Sequence, residues 1–595
     1  MINILFTSIK IFTLLFFSGY GLTSLILPKK FKSDYFFITP WLGLILITLV
    51  SVLFSLIKIP IDQSKYFVVA ISIGLLVYAF LKKKLIGGFS KETIILSLFT
   101  LISVIYYLFP LLTKIGFLTT TSYGNLDPLS YVNVAEFLVH KTVYDGAILE
   151  TYKPHLIAVG DLLHYSYRWG SPMILGFFSN ILNLRAYQVY SVILNLLFAL
   201  TFPLVYLLAK QISGKKSFLF IGLVFLTFAV NPIMLYMLYN VFFAQFIFGG
   251  VFVLSTLLFY GYLSEKNTDN WKWNNYDILL GLVFSSITTI YPEGIVFAFV
   301  PICFFFFFKF VKTKKFSALI PFFKILITTI IVNPLTFIYT LKWNIGVFLL
   351  TTKTGFIGWE KIRYATPLEL TGVYNLFYYK NLNNKLDLIT SIPVVIVFLI
   401  GLYKAKNKLI ISSYLLLFGL FYFLYKFFIP NYYTHLKTVS FMLFTFAIIF
   451  SFGMMLIYKY FKNRIFFTVS IILFIFLISR SSFRTFYQMY FHGKLVDKSL
   501  ISLIKLNDNK KINQTIITAD VYLGEYDLWR RLWQEHLLYD KKIISLSNYS
   551  SLTNKMPKVK YVLSEKKITA FDHKKIIYKK IIWENEYYQL GEIEK

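Results

Sequence analysis

Along the first 480 positions, apolar runs of 17–25 residues recur, each long enough to cross about 30 Å of hydrocarbon as a helix. In lipid every backbone N–H and C=O needs an internal partner, and a consecutive apolar segment meets that need as an α-helix. Composition points the same way: 57% of the residues are hydrophobic and only 15% charged, against about 25% charged in an average soluble domain. The 595 residues are therefore read as a polytopic α-helical membrane protein, not as a string of soluble domains.

Sixty Lys and Arg against 28 Asp and Glu give a net charge of +32. A nucleic-acid-binding chain would gather that charge on one soluble face. Here the bases sit in short clusters between apolar runs, such as Lys82-Lys83-Lys84, Lys312-Lys314-Lys315 and Lys404-Lys406-Lys408. Short basic loops are retained on the cytoplasmic side, so the clusters mark topology and argue against nucleic acid. The single cysteine, Cys303, lies in an apolar run, and no Cys/His spacing suggests a metal site. Residues 2–27 lack a basic leader and a small-residue cleavage site and read as a retained span.

With the basic clusters inside, about 12–14 transmembrane helices are expected, at 2–27, 40–58, 66–81, 92–117, 187–209, 217–238, 240–264, 277–291, 294–311, 316–338, 388–403, 409–428, 438–458 and 465–480. The parity places outside the N-terminus, the loop 118–186, the Tyr291-Pro292-Glu293-Gly294 hairpin, the loop 339–387 with 429–437, and the tail. Three parts result: N-terminal helices 1–91, a membrane core 92–480, and a soluble α/β domain 481–595. The tail carries 20 of the Lys/Arg and 13 of the Asp/Glu. Thr515–Thr518 reads as a strand and Glu525–Tyr539 as a helix, with short strands at Ile543–Leu546, Val559–Val562, Lys575–Tyr578 and Tyr587–Leu590.

Only 15 acidic side chains precede position 481, and an ionised one at the bilayer centre costs about 2.5–3.5 kcal/mol. Their positions are therefore informative. Asp127, Glu136, Asp145, Glu150 and Asp161 crowd the first outer loop, and Glu293 sits in a break between two apolar runs. Asp127 followed by Pro128 suits a helix start, with Asp127 as the cap of an amphipathic helix running to about Lys141. The same carboxylate, held at the membrane rim, could take a proton from an incoming hydroxyl. Arg168-Trp169-Gly170-Ser171-Pro172 opens an apolar stretch too short to span, as an interfacial or re-entrant segment would. Arg168 is then a phosphate ligand or a headgroup anchor. Lys426, His435 and Lys437 break the inside-positive pattern and are candidates for a lipid phosphate.

Taken in order, Asp127-Pro128…Tyr131…Glu136, Arg168–Pro172, Tyr291–Gly294, the Tyr433…Lys437 turn and the terminal α/β domain resemble the GT-C-fold membrane glycosyltransferases. The likeness is one of layout, over roughly residues 92–595, and differs in that the acidic loop follows the fourth span instead of the first. It implies a polyprenyl-phosphate-linked sugar donor, a glycan, lipid or protein acceptor of the cell envelope, and transfer with inversion at the outer face of the plasma (inner) membrane. Catalysis would fall to Asp127 as general base and to Glu293. Substrate binding would involve Tyr131, Glu136, Arg168, Tyr291, His435 and Lys437. No Asp-Glu or Asp-x-Asp pair stands at Asp127-Pro128, so no cofactor is expected and a divalent metal is not indicated.

Three other classes compete. A lipid-linked saccharide transporter or flippase should show internal repeats with broken helices at matching places, and the sequence has no such repeat. A polysaccharide polymerase or ligase of another membrane fold should carry arginines, in place of Asp127, in its main outer loop. A non-catalytic envelope scaffold would tolerate Asp127→Asn.

Overall fold

The computed structural model describes residues 1–145, 153, 156–263, 265, 270–354, 364–373, 385–405, 408–460, 464–519, 527–544, 561–566 and 576–593. Glu150, the middle of the loop 339–387, the start of the expected helix at Glu525, and the expected strand positions Leu546, Val559 and Lys575 lie outside the described residues.

Four helices come first: α1 (Ile2–Ile26), α2 (Tyr35–Leu56), α3 (Ile61–Leu81) and α4 (Lys91–Pro110). The first outer segment holds α5 (Asp127–His140), α6 (Ile157–Gly160) and α7 (Gly170–Ile181). The core continues through α8 (Ala186–Ser213), α9 (Phe218–Val224), α10 (Pro232–Tyr239), α11 (Phe243–Tyr262), α12 (Asn275–Ile290) and α13 (Gly294–Thr313). It closes with α14 (Ile320–Val332), α15 (Pro334–Thr354), α16 (Lys385–Lys404), α17 (Lys408–Phe423), α18 (Tyr432–Tyr460) and α19 (Arg464–His492).

Among the described residues, nine helices are long and apolar enough to cross a membrane, two further spans are bent pairs, and three are shorter apolar helices. They correspond one for one with the fourteen apolar runs, and the chain is a multi-pass helical membrane protein. Both bends fall at Asn-Pro steps, 47° before Pro232 and 105° before Pro334. Proline supplies no N–H and its ring clashes with the preceding turn, so the helix breaks there. After the second break α15 runs on to Thr354, so the segment expected as loop from 339 begins as helix. The last span likewise continues past 480 to His492 before the tail begins.

Inside lipid, burying apolar surface does not drive helices together, so close backbone approach must. Gly19 of α1 and Gly43 of α2 make such a contact: a Cβ on Gly19 would lie 2.1 Å from the Thr39 carbonyl oxygen, and one on Gly43 1.9 Å from that of Leu15. Gly401 on α16 and Gly453 on α18 repeat the arrangement, with 2.0 Å to Ile449 O and 2.1 Å to Val397 O. Buried ion pairs tie the bundle at its basic end. Lys210 meets Asp34 at 2.9 Å and Glu92 at 3.0 Å, and Lys324 meets Asp277 at 2.7 Å with both side chains fully buried.

At the other end, strand β1 (Thr121–Ser122) pairs antiparallel with β2 (Lys494–Leu495), fastening the first outer segment to the start of the tail. The tail then forms α20 (Lys498–Ser502), β3 (Ile516–Thr518), α21 (Ile504–Asn507, preceding β3), α22 (Leu528–Leu537), β4 (Tyr561–Glu565), β5 (Tyr578–Glu584) and β6 (Tyr588–Ile593). Its sheet has the order β3-β4-β6-β5, with β3 and β4 parallel and the other pairs antiparallel, and Ile543 adds an isolated parallel bridge to Ile516. Trp529 and Trp533 are buried core residues of α22. The tail is thus a small α/β domain.

Candidate active site

Four separate segments deliver charged side chains to the end of the bundle away from the basic loops. Helix connectivity fixes this: α12 and α13 turn around at Tyr291–Glu293, Lys437 lies in the second turn of α18, and α5 lies in the first outer segment.

Asp127 is the first residue of α5, with Pro128 next, where a missing N–H costs nothing. The capping expectation fails, because Leu126 holds the cap position and no side-chain cap bond forms. The backbone N–H of Asp127 donates to Asn125 Oδ1 at 3.2 Å, and its carboxylate is partly buried and left for other contacts. Burial pushes that carboxyl above the usual aspartate range, with the charges of Arg168 and Lys437 and the Asn125 side chain acting in the opposite direction.

Arg168 precedes α7, a twelve-residue buried helix too short to cross the bilayer. Its neighbours are fixed: Tyr167 stacks on Tyr339 at 4.6 Å, and Trp169 Nε1 donates to Leu163 O at 2.8 Å. The guanidinium meets the Glu293 carboxylate at 2.5 Å, donates to the Tyr131 hydroxyl at 3.3 Å, and lies 5.2 Å from the centre of the Tyr291 ring. Glu293, in the turn between α12 and α13, is therefore an ion-pair partner and not a solvated turn residue. Burial alone would raise its pKa, but the positive charges of Arg168 and Lys437 outweigh that and hold it below the usual range.

Lys437 is 8% exposed. Its ammonium lies 3.9 Å from the centre of the Tyr433 ring and 5.4 Å from that of Tyr291, a cation–π setting. Among the described residues no carboxylate comes within ion-pair distance of it. Gln245 on α11 donates to both tyrosine hydroxyls, at 3.1 Å to Tyr433 and 3.4 Å to Tyr291. Sequence reasoning missed Gln245, although a lone amide inside the apolar run Phe242–Phe248 is a usable signal.

Asp127, Tyr131, Arg168, Tyr291, Glu293 and Lys437 thus share one neighbourhood. Two other candidates do not. His435 lies on the far side of α18 from Lys437, 4.4 Å from the Tyr422 ring and 5.1 Å from that of Tyr364, which removes it from the cluster. Glu136 lies further along α5, paired through both oxygens with Arg185 at 2.9 and 2.7 Å.

Among the described residues no group of three His, Cys, Asp or Glu side chains is placed to hold a metal ion. Glu293 is engaged by Arg168. What the cluster offers chemically is one proton acceptor and a buried lysine amine with no ion-pair partner among the described residues.

No family model matches the chain, and no curated protein matches it either. Among solved structures, the chain is similar to the crystal structure of the Archaeoglobus fulgidus oligosaccharyltransferase in complex with Zn and sulfate, at 13% identity and a TM-score of 0.39, over 79% of this chain and 68% of that one.

Proposed function

We propose that this protein is an integral membrane glycosyltransferase that moves a sugar from a polyprenyl-phosphate donor to a cell-envelope acceptor on the extracytoplasmic face. The observation that carries the reading is the placement of Asp127 beside two cations, one of which, Lys437, has no carboxylate partner among the described residues. A buried ammonium over aromatic rings favours an incoming anion, because burial without a counter-charge is costly.

In this reading the acceptor hydroxyl attacks the anomeric carbon while its proton passes to Asp127. The bond from the anomeric carbon to the phosphate oxygen breaks, and its electron pair leaves with the lipid phosphate, which gains one negative charge. Asp127 loses one in the same step, so the pocket's total charge is unchanged. Lys437 stabilises the departing phosphate electrostatically, and Arg168, already offset by Glu293, orients the site together with Tyr131. A single displacement of this kind inverts the anomeric centre.

The test is incorporation of sugar from the lipid-linked pool into envelope acceptors by membranes containing wild-type or Asp127→Asn protein. General-base removal should lower transfer by about 10²–10⁴-fold at equal protein abundance. Transfer at the wild-type rate by Asp127→Asn would overturn the reading.

A further inference from the structure

A cavity of about 460 Å³ lies on the face of α5 away from Asp127, where α22 of the terminal domain meets the α7–α8 turn. Asn133, Glu136 and His140 line it, three to four residues apart on one helical face, while Asp127 and Tyr131 occupy the opposite face. The helix therefore separates two sites. The volume falls in the range of about 300–1,000 Å³ typical of small-molecule sites.

The lining defines the ligand. Glu136 is held by the bidentate Arg185 pair, so the charges cancel and the cavity favours an uncharged molecule. Asn133, Asn180 and Asn183 bring amides, each with a donor and an acceptor, as suits hydroxyl groups that both give and take hydrogen bonds. Two buried polar atoms of lining residues have no hydrogen-bond partner: Asn180 Oδ1 and His536 Nε2. His536 is 1% exposed, its other nitrogen is bonded to Asn133 Oδ1, and Nε2 stays 3.7 Å from Glu136. Both atoms are acceptors, because Nδ1 of His536 must donate to the Asn133 oxygen. Leaving them unpaired is costly, and two ligand hydroxyls, one donating to each, would satisfy them.

We infer that this cavity binds a neutral saccharide unit, held by Asn180, His536 and the amides of the α7–α8 turn. The inference does not rest on Asp127 or on the transfer reaction.

The experiment is saturation-transfer difference NMR on the full chain in detergent, with methyl glycosides of glucose, galactose, mannose and N-acetylglucosamine as probes. At least one glycoside should receive saturation from wild type and equally from Asp127→Asn. Its apparent affinity should fall at least about fivefold, the loss of one ordinary hydrogen bond, in Asn180→Leu and in His536→Phe. A diazirine derivative of that glycoside, photolysed on the wild-type chain, should label peptides covering 133–140 or 179–188, which keeps the inference testable if both variants misfold. Absence of saturation from every glycoside, or labelling only elsewhere, would overturn it. Binding that persists in Asp127→Asn after transfer is lost separates this site from the transfer reading, and binding without any transfer activity would sink that reading alone.

Discussion

Arg168 Nη2 and Glu293 Oε1 lie 2.5 Å apart, joining the loop before α7 to the turn between α12 and α13 across 125 positions of sequence. Both side chains keep about a fifth of their surface exposed, at 22% and 20%. Removing one member of such a pair strands the other. Glu293→Ala should destabilise the protein by about 3 kcal/mol, the low end for a buried pair given that residual exposure. Glu293→Gln retains an acceptor and should cost about 1 kcal/mol. Thermal unfolding in detergent gives the comparison, and equal melting temperatures for the two variants would show that the pair contributes little.

Asp127 titrates above the usual aspartate value of 3.8 because it is buried, and Lys437 works against that shift. A general base acts deprotonated, so kcat/KM for transfer should fall as pH drops through the carboxyl's raised pKa. Lys437→Met removes a lowering influence and should move this acid limb to higher pH in the residual activity. A limb that moved down, or stayed in place, would mean that another group controls the rate.

Lys437 should also hold the product. A hydrogen bond to a charged group contributes about 1.5–3 kcal/mol, so Lys437→Met should weaken inhibition by added polyprenyl phosphate about 10–150-fold. Lys437→Arg, keeping the cation, should weaken it less. Identical inhibition constants in wild type and Lys437→Met would remove Lys437 from phosphate binding.

The spans were readable because length in hydrocarbon is set by a fixed thickness, and all fourteen apolar runs became helices or bent pairs. Asp127 stood out because acids are scarce in such a chain. The partners of these residues were not readable: Arg168 meets Glu293, and Glu136 meets Arg185, only through tertiary packing. His435 shows a different failure. Residues 429–437 read as a turn with a helix from 438, whereas α18 starts at Tyr432. Two positions apart on a helix means about 200° of rotation, which sends His435 and Lys437 to opposite sides. The cavity against α22 was invisible for a similar reason, since His536 carries no local signal and gains its neighbours only when the terminal domain docks.

That docking contact makes a last prediction about pH. His536 and Glu535 are adjacent on α22 and buried, and burial moves their pKa values in opposite directions, His536 down to about 4 and Glu535 up to about 7. A histidine whose folded pKa lies below its usual 6.5 contributes stability present above pH 6.5 and lost as pH falls towards 4. A glutamate whose folded pKa lies above its usual 4.5 contributes stability present below pH 4.5 and lost as pH rises towards 7. The two effects run against each other over nearly the same window, so these residues should leave wild-type stability little changed between pH 4.5 and 6.5. Glu535→Gln removes one side of the balance, and the variant's melting temperature should fall relative to wild type as pH drops from 6.5 to 4.5. His536→Gln should do the reverse, its melting temperature falling relative to wild type as pH rises through the same range. Melting curves of the full chain in detergent at several pH values decide it: parallel pH profiles for wild type and both variants would mean that neither residue titrates in the docked domain.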